Sequence, residues 1–203
     1  MFNCEEILQT QFDFSKETIE KLLATKELYE DWNAKINVIS RKDMDNFYEH
    51  HLIHSLSIAL FSKFEAGTSL IDVGTGGGFP GIPLAIIYPD CNFVLNDSIG
   101  KKLKVAQGVA DALGLKNVKT QHARSEDIKQ KFDIVLGRAV KNIPEFYGFT
   151  KHLLNKDGQY WYLKGGDFQD ELVQVPLHSK EYSIYSKIKT EFYETKKVVN
   201  MWP

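Results

Sequence analysis

Only two cysteines, Cys4 and Cys91, occur in 203 residues, which excludes a disulfide framework and a cysteine-based zinc site. Cys91 follows Asp90 at the mouth of an apolar run and reads as packing rather than chemistry. No apolar run approaches the ~18 residues of a membrane span. The opening MFNCEEILQTQFDF also lacks the basic-then-apolar order of a secretory signal. A reducing cytoplasm is the expected setting. A large charge excess is missing too: 25 Lys and Arg against 27 Asp and Glu leave a formal net charge of -2. That argues against a protein coating free nucleic acid, where a basic excess drives counterion release. Two local basic clusters remain, Lys101, Lys102 and Lys104, then Lys116, Lys119 and Arg124. Each reads first as a solvated helix end or loop. Internal repeats, low-complexity tracts and long heptads are also absent, so a monomer is expected.

What is present suits a folded α/β protein. Hydrophobic residues are 43% and charged residues 26% of the chain, enough to bury a core in one domain of ordinary size. Residues 1–65 read as a helical extension. Ile19, Leu22, Leu23, Leu28, Tyr29 and Trp32 form a stripe of roughly helical period after Ser15, a fitting N-cap. A second stripe runs from Asp43 to Phe64 through Phe47, Leu52, Leu56, Ala59 and Leu60, and WNAKINVISRKD connects the two. Residues 66–203 alternate strand and helix. SLIDV, CNFVLND, NVKTQHA, FDIVLGRAV and GQYWYLKGG are strands; FPGIPLAIIY, GKKLKVAQGVADALGL, NIPEFYGFTKHLL and GDFQDELVQV are helices. The tail, EYSIYSKIKTEFYETKKVVNMW, holds two β runs that suit an antiparallel hairpin at a sheet edge. The order predicts a mostly parallel sheet covered on both faces.

The first strand leads into Asp72-Val73-Gly74-Thr75-Gly76-Gly77-Gly78-Phe79-Pro80-Gly81. Glycines after a first strand let the backbone turn sharply and approach a ligand where a Cβ would clash. Gly76, Gly78 and Gly81 also satisfy the dinucleotide spacing G-x-G-x-x-G, so a nicotinamide enzyme competes. Asp72, two residues before Gly74, favours a cofactor bearing ammonium and sulfonium charges over a pyrophosphate. Asp97, ending the next strand, is placed to accept ribose hydroxyls; both cofactors share that feature. No second domain remains to hold a hydride acceptor. The residues therefore point to S-adenosylmethionine.

DVGTGGGFPGIPLAI, LNDSIGKKLK, ARSED, LGRAV and YLKGG resemble, in order and spacing, the bacterial small-subunit ribosomal RNA guanine-N7 methyltransferase G family, also called glucose-inhibited division protein B. WNAKINVISRKD and HHLIHSLSIAL resemble that family's helical extension, so the likeness runs from about Tyr29 to the C-terminus. The resemblance implies a Rossmann-like methyltransferase fold and methyl transfer to N7 of a guanine in small-subunit ribosomal RNA. It implies that Gly74 and Phe79 lie against the cofactor, that Ser125 and Glu126 lie beside its adenine, and that Arg138 reaches the active site. Two departures stand out. The family commonly has Arg-His-x-x-Asp-Ser where this chain has His50-His51-Leu52-Ile53-His54-Ser55, and often Ser-Arg-Ala where it has Gly137-Arg138-Ala139.

Guanine N7 carries a lone pair and no proton, so positioning and exclusion of water suffice in principle. No Asn/Asp-Pro-Pro-aromatic motif follows the fourth strand, as exocyclic-amine methyltransferases have. No Cys follows it for covalent attack on a pyrimidine. Arg138, ending that strand, is expected in the crevice, on a phosphate, on guanine O6 or on the cofactor carboxylate. A salt bridge is the structural alternative. Lys164, ending the fifth strand, is a second candidate for a phosphate. Tyr160, Trp161 and Tyr162 read mainly as core. His50 and His54 lie one helical turn apart, but no third ligand accompanies them, and no metal is expected. A methyltransferase of small molecules or proteins, and a non-catalytic nucleotide- or ribosome-binding protein, remain open at this stage.

Overall fold

The computed structural model describes residues 2–203. The extension comprises α1 (Cys4–Thr10), α2 (Lys16–Asn33), a 3₁₀ turn (Arg41–Asn46), a π-helical stretch (Phe47–Ile53), the single turn α3 (His54–Leu56) and a second 3₁₀ turn (Ser57–Leu60). Ser15 caps α2 by accepting from the Thr18 amide, as its residue type favours. The predicted second helix is therefore replaced by short helical pieces of differing pitch. π-Helical stretches often mark functional sites, and this one carries His50 and His51.

The sheet follows as β1 (Ser69–Val73), α4 (Gly81–Ile87), β2 (Asn92–Asp97), α5 (Gly100–Ala112), β3 (Val118–His122), β4 (Phe132–Arg138), α6 (Ile143–Thr150), β5 (Leu154–Gly165), α7 (Gln169–Leu172), β6 (His178–Ser183) and β7 (Lys196–Trp202). Its order is β3-β2-β1-β4-β5-β7-β6. The first five strands are parallel, and β7 and β6 pair antiparallel at the end. This is the Rossmann-like arrangement expected, mostly parallel with an antiparallel C-terminal hairpin. Two local expectations differ. Only Gln169–Leu172 of GDFQDELVQV forms a helix. The first tail strand starts at His178, and 3₁₀ turns at Ile184–Ser186 and Glu191–Tyr193 occupy the connection to β7. Ile184 and Tyr193 bury their side chains in those turns, so apolar content there marks anchored loops rather than strand.

Side-chain alternation along the strands assigns the two faces. Leu70, Leu136, Trp161 and Leu163 join one buried cluster with α4 and α5; Ile71, Val73, Val135, Tyr160 and Tyr162 join the other with α6. The helical extension enters the first cluster through Leu8, Ile19, Leu22, Tyr29, Phe47, Leu52 and Leu56. It shares a core with one sheet face. Cys91 is buried with its Sγ 3.3 Å from the Glu65 carbonyl, a packing role. No helix among the described residues is long and apolar enough to cross a membrane.

Candidate active site

The site lies at the carboxyl ends of β1, β2 and β4, where β1 sits between the other two and ligands of open α/β sheets bind. After β1 the chain makes a glycine turn that only a backbone with positive φ can follow, at Gly74 (+68°), Gly76 (+57°) and Gly78 (+109°). A Cβ on Gly78 would lie 2.5 Å from Ile82 Cγ1, so the helix that follows packs directly on the bare backbone.

Asp72 shapes this turn from behind. It is fully buried, and its Oδ2 accepts from the Thr75 hydroxyl at 2.6 Å and the Gly81 amide at 2.8 Å. Burial raises its carboxyl pKa to about 6, against the opposing pull of those bonds and of Arg138. The carboxylate is buried beneath the turn and holds it through Oδ2, while its Oδ1 meets no hydrogen-bond partner among the described residues. Asp97 stands at the cleft itself. Its Oδ2 accepts from Gly76 N at 2.9 Å and its Oδ1 from Ile99 N at 2.8 Å. Asn96 ties β2 to the end of β3 by donating to the Gln121 and Ala123 carbonyls.

Two cavities share Gly74 as a wall. The larger, about 380 Å³, is lined by Gly74, Asp97, Ser125, Glu126 and Val140 among others. Ser125 is buried and donates to Glu126 Oε2 at 3.0 Å. Glu126 is exposed; its own backbone and the Ser125 hydroxyl hold its carboxyl below the ordinary range. The wall at Val140 is set by Tyr162, whose hydroxyl accepts from Val140 N and Lys141 N and donates to Lys141 O. The smaller cavity, about 280 Å³, runs past Gly76, Phe79, His51, His54 and Arg138.

Arg138 ends β4, and the next residue, Ala139, has φ +52°, a left-handed conformation that non-glycine residues adopt at some energetic cost. The guanidinium lies 5.0 Å from the Phe79 ring centre. Its Nη1 donates to the His50 carbonyl at 3.1 Å and its Nη2 to His51 Nδ1 at 3.2 Å. Burial lowers its pKa to about 10 while the Asp72 charge resists, so it stays a cation. Asp43, which sequence spacing did not single out, accepts from His50 Nδ1 and His51 Nε2, both at 2.6 Å. Burial takes His51 down to about 4, helped by Arg138, and drives His54 well below its usual range. Both rings are therefore neutral at neutral pH. The described residues hold no group of three His, Cys, Asp or Glu placed to bind a metal ion.

The structure thus gathers Gly74, Gly76, Phe79, Asp97, Ser125, Glu126 and Arg138 around one cleft, with Asp72 and Gly78 supporting the loop behind it. Lys164, the second candidate for a phosphate, is paired with a carboxylate. Its Nζ lies 2.7 Å from Glu171 Oε2, which also accepts from Ile143 N. The pair closes α7 against the start of α6, and the lysine lines neither cavity. Tyr160, Trp161 and Tyr162 are buried in the core.

Residues 18–199 match the family described as rRNA small subunit methyltransferase G. A ribosomal RNA small subunit methyltransferase G of Flavobacterium psychrophilum is 50% identical over 203 residues, covering 97% of both chains. One from Bacteroides fragilis is 47% identical over 193 residues, covering 92% of this chain and 94% of its own. Among solved structures, a putative O-methyltransferase from Nostoc punctiforme superposes with TM-score 0.61 at 14% identity, over 92% of this chain and 71% of that one. A coclaurine N-methyltransferase bound to N-methylheliamine and SAH gives TM-score 0.57 at 11% identity, over 98% and 91%. Those two likenesses speak for the fold alone. The match across nearly the whole chain, with relatives at about half identity, means that this chain belongs to the rRNA small subunit methyltransferase G family.

Proposed function

We infer that the chain is an S-adenosylmethionine-dependent methyltransferase that methylates N7 of a guanine in small-subunit ribosomal RNA, with Arg138 in its active site. The observation that carries the site is that two cavities share the bare Gly74 backbone as a wall, one lined also by Asp97 and the other by Arg138. The larger has a volume in the range of small-ligand sites. Asp97 has its oxygens fixed by backbone amides and keeps lone pairs for ribose hydroxyl hydrogens. Ser125 and Glu126 flank the position of an adenine. When bound, S-adenosylmethionine supplies an electrophilic methyl group on sulfur.

The chain's own residues then hold and orient. The bare backbone of Gly74 and Gly76 admits the cofactor closely. Phe79 closes one wall of the smaller cavity and gives Arg138 a π-face to rest on. Two of the guanidinium N–H groups are taken by His50 and His51. The remaining ones are available to guanine O6 or a phosphate, which fixes the base with N7 toward the methyl group. N7 bears no proton, so no group has to act as general base. Holding nucleophile and methyl group in line away from water is the source of rate, worth up to roughly 7–11 kcal/mol.

The test uses methyl-labelled S-adenosylmethionine and small ribosomal subunits from a strain lacking the enzyme. Label should enter the ribosomal RNA at a guanine and be lost on treatment that cleaves at N7-methylguanine. Label in protein or in small molecules instead, or none at all, would remove the assignment. A thermal shift with S-adenosylhomocysteine and none with NADH separates the cofactor question from the substrate question.

A further inference from the structure

His51 is gripped from two sides. Asp43 Oδ2 lies 2.6 Å from its Nε2, and Arg138 Nη2 lies 3.2 Å from its Nδ1. A guanidinium has donors and no acceptor, so the Arg138 contact requires a lone pair on Nδ1. The one proton of a neutral imidazole then sits on Nε2, facing a carboxylate that accepts it. Both contacts demand the same tautomer, since the hydrogen bond made by one ring nitrogen fixes the state of the other. Asp43 uses its other oxygen on His50 Nδ1 at 2.6 Å, and the His50 carbonyl takes Nη1 of Arg138. One carboxylate therefore grips two consecutive residues, and each of them holds the same arginine.

The opposite side of this stretch is braced as well. The His50 ring stacks on Phe192, 4.0 Å between centres at 15°. The Tyr193 hydroxyl donates to the Glu49 carbonyl at 2.6 Å, and Thr190 bonds the Glu49 carboxylate. The loop before β7 thus clamps the π-helical stretch from outside, while Asp43 sets the histidines from within. Asp43 lies off both cavities and touches Arg138 only through these histidines.

We propose that Asp43 is a positioning residue for the reaction: it fixes the Nε2–H tautomer of His51 and so aims the Arg138 guanidinium into the smaller cavity beside Gly74. This rests on the reading of Arg138 as an active-site group. Removing Asp43 leaves the imidazole free to protonate Nδ1, which turns a donor toward the guanidinium and pushes it aside.

Long-range proton–nitrogen spectra of protein labelled at histidine nitrogen read the tautomer directly. Wild type should show His51 with its proton on Nε2, and Asp43→Ala should show a mixed or reversed tautomer. In the same variant kcat should fall by about 10- to 100-fold, the scale of a misplaced group, with the KM for S-adenosylmethionine nearly unchanged. A wild-type His51 with its proton on Nδ1 overturns the proposal, even if Asp43→Ala fails to fold. So does full kcat in Asp43→Ala when Arg138→Ala is inactive, or a lowered kcat with the tautomer unaltered. Full turnover in Arg138→Ala instead overturns the active-site reading beneath it, and the spectra distinguish the two failures.

Discussion

The hydroxyl of Tyr29 donates to the carbonyl of Gly77 at 2.8 Å, across 48 positions of chain. The last turns of α2 thereby brace the glycine loop, and the Tyr29 ring lies 4.6 Å from Phe79. Burial raises the Tyr29 pKa far beyond its usual value, so the hydroxyl remains a donor throughout the working pH range. The helical extension is in this way part of the glycine loop's support.

Tyr29→Phe should therefore weaken two things together. Stability should fall by about 1 kcal/mol, the net worth of one hydrogen bond, with more if the buried carbonyl finds no replacement. Affinity for S-adenosylhomocysteine should drop several-fold by calorimetry. A variant with lower stability but unaltered affinity would disconnect the extension from the loop.

Gly78→Ala meets both a strained backbone and a collision. Its φ is +109°, and the new methyl would sit 2.5 Å from Ile82 Cγ1 and 3.1 Å from the Tyr29 hydroxyl. A loss of roughly 1–3 kcal/mol is expected in chemical denaturation, along with weakened cofactor binding. Gly76→Ala meets no atom within 4 Å; it carries only the backbone strain and should be the milder of the two.

Arg138→Lys keeps a cation and loses the planar fork that spans His50, His51 and the cavity. Single-turnover methylation should slow by about 100-fold or more, as when one aimed donor is removed from an active site. The melting temperature should move little. Turnover near wild type would show that charge alone suffices and would remove the orientation argument.

Acid should destabilise the fold. An unfolded chain protonates His51 near its ordinary 6.5, whereas the folded protein holds it neutral to about 4. The unfolded state thus binds more protons in that interval, and stability falls as pH drops through it, by about 2 kcal/mol at pH 5 from this group. His54 acts in the same direction. Asp72 acts in the opposite one, since its folded pKa of about 6 lies above the ordinary 3.8. It returns about 1 kcal/mol over the same span. The net is a lower unfolding midpoint at pH 5 than at pH 7, and His54→Gln should shrink the difference. Equal midpoints for wild type at the two pH values would contradict the burial of neutral imidazoles.

The strand–turn–helix around Asp72–Gly81, the acid ending β2 and the arginine ending β4 were all legible from sequence. Each depends on short-range signals: period-two alternation, glycines where φ is positive, and a polar residue at a strand's carboxyl end. The tail was legible only in part. Tyr182, Ile184 and Tyr193 supply apolar content whether they sit in a strand or anchor a 3₁₀ turn, and nothing local separates the two.

Residue order by itself determined the architecture and the place of the cleft, because backbone conformation and burial pattern are properties of neighbouring residues. Partnership between charges was decided by the fold. Asp72 lies beneath the loop and holds Thr75 and Gly81, Lys164 pairs with Glu171, and Asp43 reaches Arg138 through two histidines. The Arg138 bonds to His50 and His51 span 88 and 87 positions. A side chain's charge is the same wherever it stands, and only the packing of distant segments settles which opposite group, which lone pair or which cavity it meets.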